Sequence, residues 1–166
     1  MSSKDIALIA IFSVILFVQE QLLSFIPNVQ LTVFLLVLYS KVLGFKKTLL
    51  IVLIHTILDN LINGSLNLMY FPFMLLGWII IPIVITTLFR KTENSLVLGI
   101  AGIIFSFIYC WLFMIPNLIL YRTNILSYIA ADIFWEIALA MSSFLTILWL
   151  YNITSKFLRE KLKEYI

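Results

Sequence analysis

The stretch SLVLGIAGIIFSFIYCWLFMI, residues 95–115, decides the fold of this chain, because it contains no Asp, Glu, Lys or Arg. An α-helix rises about 1.5 Å per residue, so about 20 apolar residues cross the roughly 30 Å hydrocarbon core of a bilayer. This segment therefore predicts a helix that spans a membrane.

The rest of the chain has the same character. Hydrophobic residues make up 63% of its 166 positions and charged residues only 11%, less than half of what a soluble domain needs to cover its surface. The outer surface is therefore expected to face lipid. Six apolar segments can be drawn, at about 6–26, 29–43, 47–62, 66–89, 95–115 and 127–153. Backbone groups in lipid must bond internally, so each segment is predicted to be a helix.

Turn-forming residues separate these segments. They are Pro27-Asn28, Gly44, Asn63-Gly64-Ser65, residues 90–94 and the stretch from Pro116 onward. The second and third segments are short for complete spans, so they are tilted, partly re-entrant or lengthened by interfacial residues. The first segment resembles a signal peptide but is long and carries polar residues at 19–21, so we interpret it as a retained helix. We expect one all-α, six-helix membrane domain over residues 1–166.

Basic residues fall on one side of this arrangement. With six spans, ten of the eleven Lys and Arg residues lie at the chain ends or in the loops of one side, and only Arg122 lies on the other. Positive charge marks the cytoplasmic face, so both termini of this multi-pass protein are expected in the cytoplasm. The tail at 154–166 is either an amphipathic helix on anionic headgroups or a frayed end of the sixth helix that keeps the topology fixed.

Four carboxylates fall toward the opposite side: Glu20, Asp59, Asp132 and Glu136. Ionisable groups inside a membrane are costly and normally face a bundle interior or a wet cavity. Asp132 and Glu136 are four residues apart and share a helix face, as do His55 and Asp59. These positions predict an outward-opening polar pocket; the alternative is that the carboxylates are solvated at the interface. His55 and Asp59 form either a packed hydrogen bond or part of a proton path.

The sequence lacks the motifs of common enzyme sites. It has no Gly-rich phosphate loop, no HExxH and no nucleophile elbow. Its single cysteine, Cys110, supports neither a disulfide framework nor a Cys-based metal site. We therefore predict no enzymatic activity, no cofactor, no metal and no nucleic-acid partner.

Several stretches resemble the S-components of energy-coupling factor (ECF) transporters. They are SKDIALIA at 3–10, IPNVQLT at 26–32 with the following apolar segment that ends in LGFK at 43–46, and LDNLINGS at 58–65. The resemblance covers nearly the whole chain. It implies an S-component-like bundle in a bacterial cell membrane that captures a vitamin or related micronutrient from outside. A membrane T-component and two cytoplasmic ABC ATPases would then power its release inside.

The resemblance also implies which residues bind substrate and partner. Substrate contacts are expected at the outer loops and the outer ends of the later helices, at Asn67, Tyr70, Trp78, Asn117, Tyr121, Trp135 and Glu136. Small residues on the first helix are expected to face the T-component, at Ser3, Ala7 and Ala10. Ile11 departs from that series of small residues. If the outer carboxylates are ionised, the pocket favours cationic or donor-rich ligands.

Other functions stay open at this point. A small membrane scaffold protein of the bacterial cell-wall and shape machinery has similar length and hydrophobicity, and it would bind membrane proteins without any small-molecule ligand. A secondary transporter would use Glu136 or the His55–Asp59 pair as a proton relay, but the sequence lacks the internal symmetry typical of such carriers. An intramembrane enzyme is the least favoured reading, because no nucleophile–base or metal constellation is visible.

Overall fold

The computed structural model describes residues 1–63 and 68–163, and six α-helices account for most of them. These helices are α1 (Ser3–Leu23), α2 (Thr32–Val42), α3 (Phe45–Asn63), α4 (Phe71–Thr87), α5 (Ser95–Tyr121) and α6 (Ile125–Lys163). The described part of the chain contains no β-strand. The all-α prediction and the number of helices are confirmed.

One predicted helix end is wrong, and the alternative left open for the tail is decided. α5 was expected to end before Pro116, but it continues to Tyr121 and closes at Arg122, whose φ of 50° is left-handed. Proline removes one backbone donor, so the Leu112 carbonyl loses its partner within the helix; the Asn117 side chain donates to the following carbonyl, that of Phe113, at 2.8 Å. α6 continues past 153 to Lys163, so the described part of the tail belongs to the sixth helix.

α2 lies at the centre of the bundle. Nine consecutive residues, 32–40, are buried, and α2 contacts each of the other five helices. The remaining helices surround it in the order α1, α3, α4, α5 and α6. With 11 residues, α2 is only about 16 Å long. Its mostly apolar sequence is consistent with burial by five neighbours.

The ring of helices around α2 is open between α1 and α6. Within the described chain, no Cα atom of α1 lies within 8 Å of one in α6. The loop at 24–31 closes this seam at one end of the bundle: Asn28 donates to the Trp135 carbonyl at 3.1 Å, and Ser142 donates to the Gln30 carbonyl at 2.9 Å. At the other end the seam remains a groove.

Three helices, α1, α5 and α6, are long and apolar enough to cross a membrane, and α2 and α4 are apolar but shorter. Large apolar side chains are also exposed along the bundle, among them Leu22, Trp149 and Ile153, each about two-thirds exposed or more. A soluble monomer rarely exposes apolar surface of this extent. Both observations are consistent with the predicted membrane protein.

The alternating directions of the helices collect the basic residues at one end, which we call the basic end. There, Lys47 of α3 forms an ion pair with Asp5 of α1. Lys41 of α2 lies 3.5 Å from Glu93, and Arg159 of α6 donates to the same carboxylate at 2.9 Å. These contacts bring the N-terminal ends of α1 and α3 and the C-terminal ends of α2 and α6 to one side of the bundle.

Candidate functional site

The opposite end, which we call the acidic end, holds Glu20, Asp59, Asp132 and Glu136. These carboxylates form two groups. Glu20 and Asp59 both lie within electrostatic reach of Tyr109. Asp132 and Glu136 lie on α6, one helical turn apart, facing α5. The predicted clustering of acidic side chains at one end is therefore present, but as two separate groups.

Glu136 is the most enclosed member of the second group, with 1% of its surface exposed. One carboxylate oxygen, Oε2, accepts a hydrogen bond from the Trp111 indole at 3.3 Å. The other, Oε1, is buried and has no hydrogen-bond partner among the described residues. Burying an unpartnered carboxylate oxygen costs free energy. Glu136 is therefore placed to receive a donor that the described chain does not supply.

Polar side chains extend from this group toward α4. The Tyr128 side chain interacts with the Asp132 carboxylate one helical turn away. Asn117 of α5 donates to the Tyr128 hydroxyl at 3.4 Å and accepts from the Tyr70 hydroxyl at 2.7 Å. Tyr70 is the residue immediately before α4, so this network links the ends of α4, α5 and α6.

The structure brings together three of the residues implied as substrate contacts. Tyr70 and Asn117 are joined by the hydrogen bond just described, and the Tyr121 side chain interacts with Tyr70. Tyr121 is 70% exposed, so it lies at the mouth of the network. These three residues and Glu136 lie at the same end of the α5–α6 pair.

The other implied contacts lie elsewhere. Trp78 is 1% exposed and stacks on Tyr109 with ring centroids 3.8 Å apart, so it belongs to the core. Trp135 packs edge-on against Phe134 and is exposed, although it is adjacent to Glu136 in sequence. Asn67 lies outside the described residues.

Three residues of this group are absent from the implied substrate contacts: Trp111, Tyr128 and Asp132. Their positions explain how two of them could be found. Tyr128, Asp132 and Glu136 follow one another at four-residue spacing, which places them on one face of α6. The sequence could not identify Trp111, because aromatic residues are common at membrane interfaces. Only the packing of α5 on α6 places this tryptophan beside Glu136.

The first group is organised around His55, which is 1% exposed. Its Nε2 lies 3.1 Å from Oε2 of Glu20, across the contact between α3 and α1. Neither ring nitrogen makes a hydrogen bond of good geometry with any described residue, so a packed hydrogen bond to Asp59 is not formed. Its ion-pair partner Glu20 is on another helix, which spacing along α3 could not predict.

Glu20 also lines an open cavity of about 200 Å³ at the acidic end. The end of α1 and the loop at 24–31 form this cavity, which includes the side chains of Gln21, Asn28 and Gln30. Next to it, the Gln19 side chain of α1 donates to the Thr32 hydroxyl and accepts from the Leu31 backbone N–H, which joins the end of α1 to the start of α2. Polar side chains of the loop therefore line the cavity beside Glu20.

The three small residues predicted to face a partner, Ser3, Ala7 and Ala10, are all exposed on α1. Ile11, which interrupts the small series, is 56% exposed. As for metals, no three His, Cys, Asp or Glu side chains within residues 1–63 and 68–163 are grouped as ligands would be. Comparison of the chain with protein-family models, with curated proteins and with solved structures finds no match.

Proposed function

We propose that this chain is the substrate-capturing membrane subunit, or S-component, of an ECF-type importer. In this proposal it spans a bacterial cell membrane with six helices and keeps both termini in the cytoplasm. It binds a vitamin or related micronutrient from outside, and a T-component with two ABC ATPases powers the release of that molecule inside.

The observation that carries the proposal is the unpartnered Oε1 of Glu136. A carboxylate enclosed between two helices is expensive unless donors surround it. A ligand that offers an ammonium or N–H group would complete the set of donors that Trp111 begins. The network of Tyr128, Asn117 and Tyr70 supplies further polar contacts beside it. We therefore expect a cationic or donor-rich ligand.

The charge distribution supports the proposed orientation. The start of α1 and the end of α6 lie at the basic end, together with ten of the eleven Lys and Arg residues of the sequence. Cytoplasmic loops of membrane proteins carry this excess of positive charge. The acidic end then faces outward, where a capture subunit meets its ligand. α2 is too short to cross the bilayer alone, so its flanking residues at 24–31 and 43–44 would complete that crossing.

Purification of the tagged protein from its host in mild detergent, with mass spectrometry of the co-purifying proteins, tests this proposal. We expect a larger membrane subunit and two ABC-type ATPases. Ala7→Leu, which enlarges an exposed small residue on α1, is expected to reduce their recovery. Ala131→Leu, at an exposed position near the acidic end of α6, is the matched control. Recovery of cell-wall synthesis proteins without ATPases would favour the scaffold function instead.

A further inference from the structure

The contact between His55 of α3 and Glu20 of α1 joins a ring inside the bundle to a carboxylate that reaches its surface. Nε2 of His55 and Oε2 of Glu20 are 3.1 Å apart. Both atoms are buried, and neither makes a hydrogen bond of good geometry with a described residue. The Glu20 side chain is 24% exposed and lines the open cavity at the acidic end. A proton can therefore reach His55 from the acidic end by way of Glu20.

α1 packs mainly against α3, and an ion pair joins these two helices at each end. Lys47 pairs with Asp5 at the basic end, and His55 pairs with Glu20 at the acidic end. Lysine and aspartate are charged at neutral pH, whereas histidine is charged only when it is protonated. Of these two contacts, the one at the acidic end is therefore the one whose strength depends on pH.

The charged groups closest to this contact are acidic. Asp59 lies one helical turn beyond His55 on α3 and is buried. The Tyr109 hydroxyl of α5 lies within electrostatic reach of both Asp59 and Glu20. A proton bound at His55 would therefore bring positive charge to a part of the bundle that holds two carboxylates.

The other titratable groups on the surrounding helices lie farther from this contact. On α2, Tyr39 and Lys41 are in the half that leads to the basic end. α4 carries no titratable side chain. On α5, Cys110 lies within electrostatic reach of the second acidic group, and Arg122 follows the helix at an exposed position. His55 and Glu20 are therefore the two groups whose protonation changes the α1–α3 contact directly.

We propose that His55 and Glu20 form a proton-binding site that is reached from the acidic end and that tightens the contact between α1 and α3 when a proton is bound. The proton adds to the unprotonated ring nitrogen of His55, and the Nε2–H of the resulting imidazolium donates to Oε2 of Glu20. A charge-assisted hydrogen bond of this kind is about twice as strong as a neutral one. When the proton leaves through Glu20, α1 is held less firmly at the acidic end.

This site would sense the acidity of the compartment that the acidic end faces. It does not involve Glu136 or any ligand bound there, so it can be tested independently of the proposed function.

The sequence contains a single histidine, so the protonation state of His55 can be measured directly. Nitrogen-15 NMR of the full-length protein, labelled at histidine and purified through a tag without histidine, distinguishes the neutral ring from the imidazolium. We expect the wild type to change from neutral to protonated between pH 8 and pH 5. In Glu20→Gln, which keeps the shape of the side chain and removes its charge, His55 should stay neutral because an unpaired buried charge is costly.

The matched control is Glu160→Gln, which removes a carboxylate from an exposed position of the basic end. His55 should be protonated in this variant as in the wild type. A ring that stays neutral in the wild type down to pH 5 would overturn the proposal. Equal protonation of His55 in Glu20→Gln and the wild type would overturn it as well.

Thermal unfolding in one detergent at pH 8, 6.5 and 5 tests whether the proton strengthens the helix contact. The unfolded wild type and unfolded Glu20→Gln bind the same proton at His55, but only the folded wild type keeps it. The unfolding midpoint of the wild type relative to Glu20→Gln should therefore rise as the pH falls, by on the order of 5 °C in total.

In a His55→Gln background, the effect of Glu20→Gln should not depend on pH over this range. The same pH dependence with and without His55 would contradict the site, and so would a difference between wild type and Glu20→Gln that stays constant from pH 8 to pH 5. If His55→Gln does not fold, as judged by its elution as a monodisperse protein, the NMR measurement decides the question.

Discussion

His55 of α3 and Glu20 of α1 face each other across a helix contact, with Nε2 3.1 Å from Oε2. His55 is almost completely enclosed, whereas the Glu20 side chain is 24% exposed and borders the cavity at the acidic end. Tyr109 lies within electrostatic reach of the same carboxylate. The pair therefore joins a buried side chain, His55, to a carboxylate at the surface of the cavity, Glu20.

A double-mutant cycle measures how strongly the pair is coupled. His55→Ala and Glu20→Ala are each expected to destabilise the protein, and their combined effect should fall short of the sum by about 0.5–2 kcal/mol, as for residues in direct contact. Thermal unfolding in one detergent gives the four stabilities. The cycle of His55→Ala with Glu160→Ala, at opposite ends of the bundle, should be additive. Additivity in both cycles would show that the contact between His55 and Glu20 does not stabilise the protein.

Glu136 is predicted to decide ligand retention. Glu136→Gln keeps the shape of the side chain and an oxygen for the Trp111 indole, but removes the charge. A charge-assisted hydrogen bond contributes about 1.5–3 kcal/mol, so ligand affinity should fall about 10- to 100-fold. Small molecules released by denaturing the purified protein can be compared by mass spectrometry. Glu160→Gln, at an exposed position of the basic end, is the matched control.

The expected pattern is one small molecule present in the wild type and in Glu160→Gln and depleted in Glu136→Gln. A molecule retained equally by all three proteins would remove Glu136 from the binding site. Tyr70→Phe is a milder test of the neighbouring network, since it deletes only the hydroxyl that donates to Asn117.

Replacement of glycine by alanine is expected to have unequal effects at two positions, Gly77 and Gly102. A Cβ built on Gly77 would lie 2.6 Å from a ring atom of Tyr109, whose ring is already stacked on Trp78. A Cβ on Gly102 would lie equally close to Ile147, but to the terminal Cδ1 atom of a flexible side chain. Gly77→Ala should therefore cost about 1–3 kcal/mol from overpacking.

Gly102→Ala should be nearly neutral, because a rotation of Ile147 relieves the contact and alanine favours the helix by up to about 1 kcal/mol. Thermal unfolding of the two variants in the same detergent compares them directly. Equal destabilisation would mean that the stacked rings of Tyr109 and Trp78 can move aside as easily as the Ile147 side chain.

The sequence predicted the features that depend on local hydrophobicity and charge. Runs of apolar residues indicated six helices, and the positions of Lys and Arg indicated one basic end. The same reasoning did not predict that α2 lies at the centre, since a buried helix and a lipid-facing helix have the same apolar composition. Nor did Pro116 end α5, because membrane helices tolerate an internal proline and apolar residues continue on both sides of it.

The candidate site was predicted in part, for a related reason. Spacing along one helix relates Asp132 to Glu136, so that pair could be found. Contacts between helices, such as Glu20 with His55 and Glu136 with Trp111, depend on rotation and crossing of the helices. The residue pattern of a single sequence therefore cannot predict which side chains meet between helices. The ECF assignment, the six spans and their orientation remain predictions.

The final prediction concerns pH and rests on Glu93, in the loop before α5. Burial by itself would raise the pKa of this carboxyl. Hydrogen bonds from Arg159 at 2.9 Å and Tyr151 at 2.6 Å, with the charge of Lys41, outweigh that effect and hold its pKa below the ordinary value of 4.5. Its contribution to stability is therefore complete above about pH 4.5 and is lost as the pH falls through the lowered value.

Glu93→Gln removes this contribution. Because the Glu93 side chain is half exposed, the loss at pH 7 should be about 1 kcal/mol or less, which corresponds to a few degrees in the unfolding midpoint. The gap between wild type and variant should narrow as the pH is lowered toward 3, because the wild-type carboxyl then becomes neutral as well. Unfolding midpoints at pH 7, 4.5 and 3 measure this gap. A gap that stays constant across these values would show that Glu93 stabilises the basic end through packing and not through its charge.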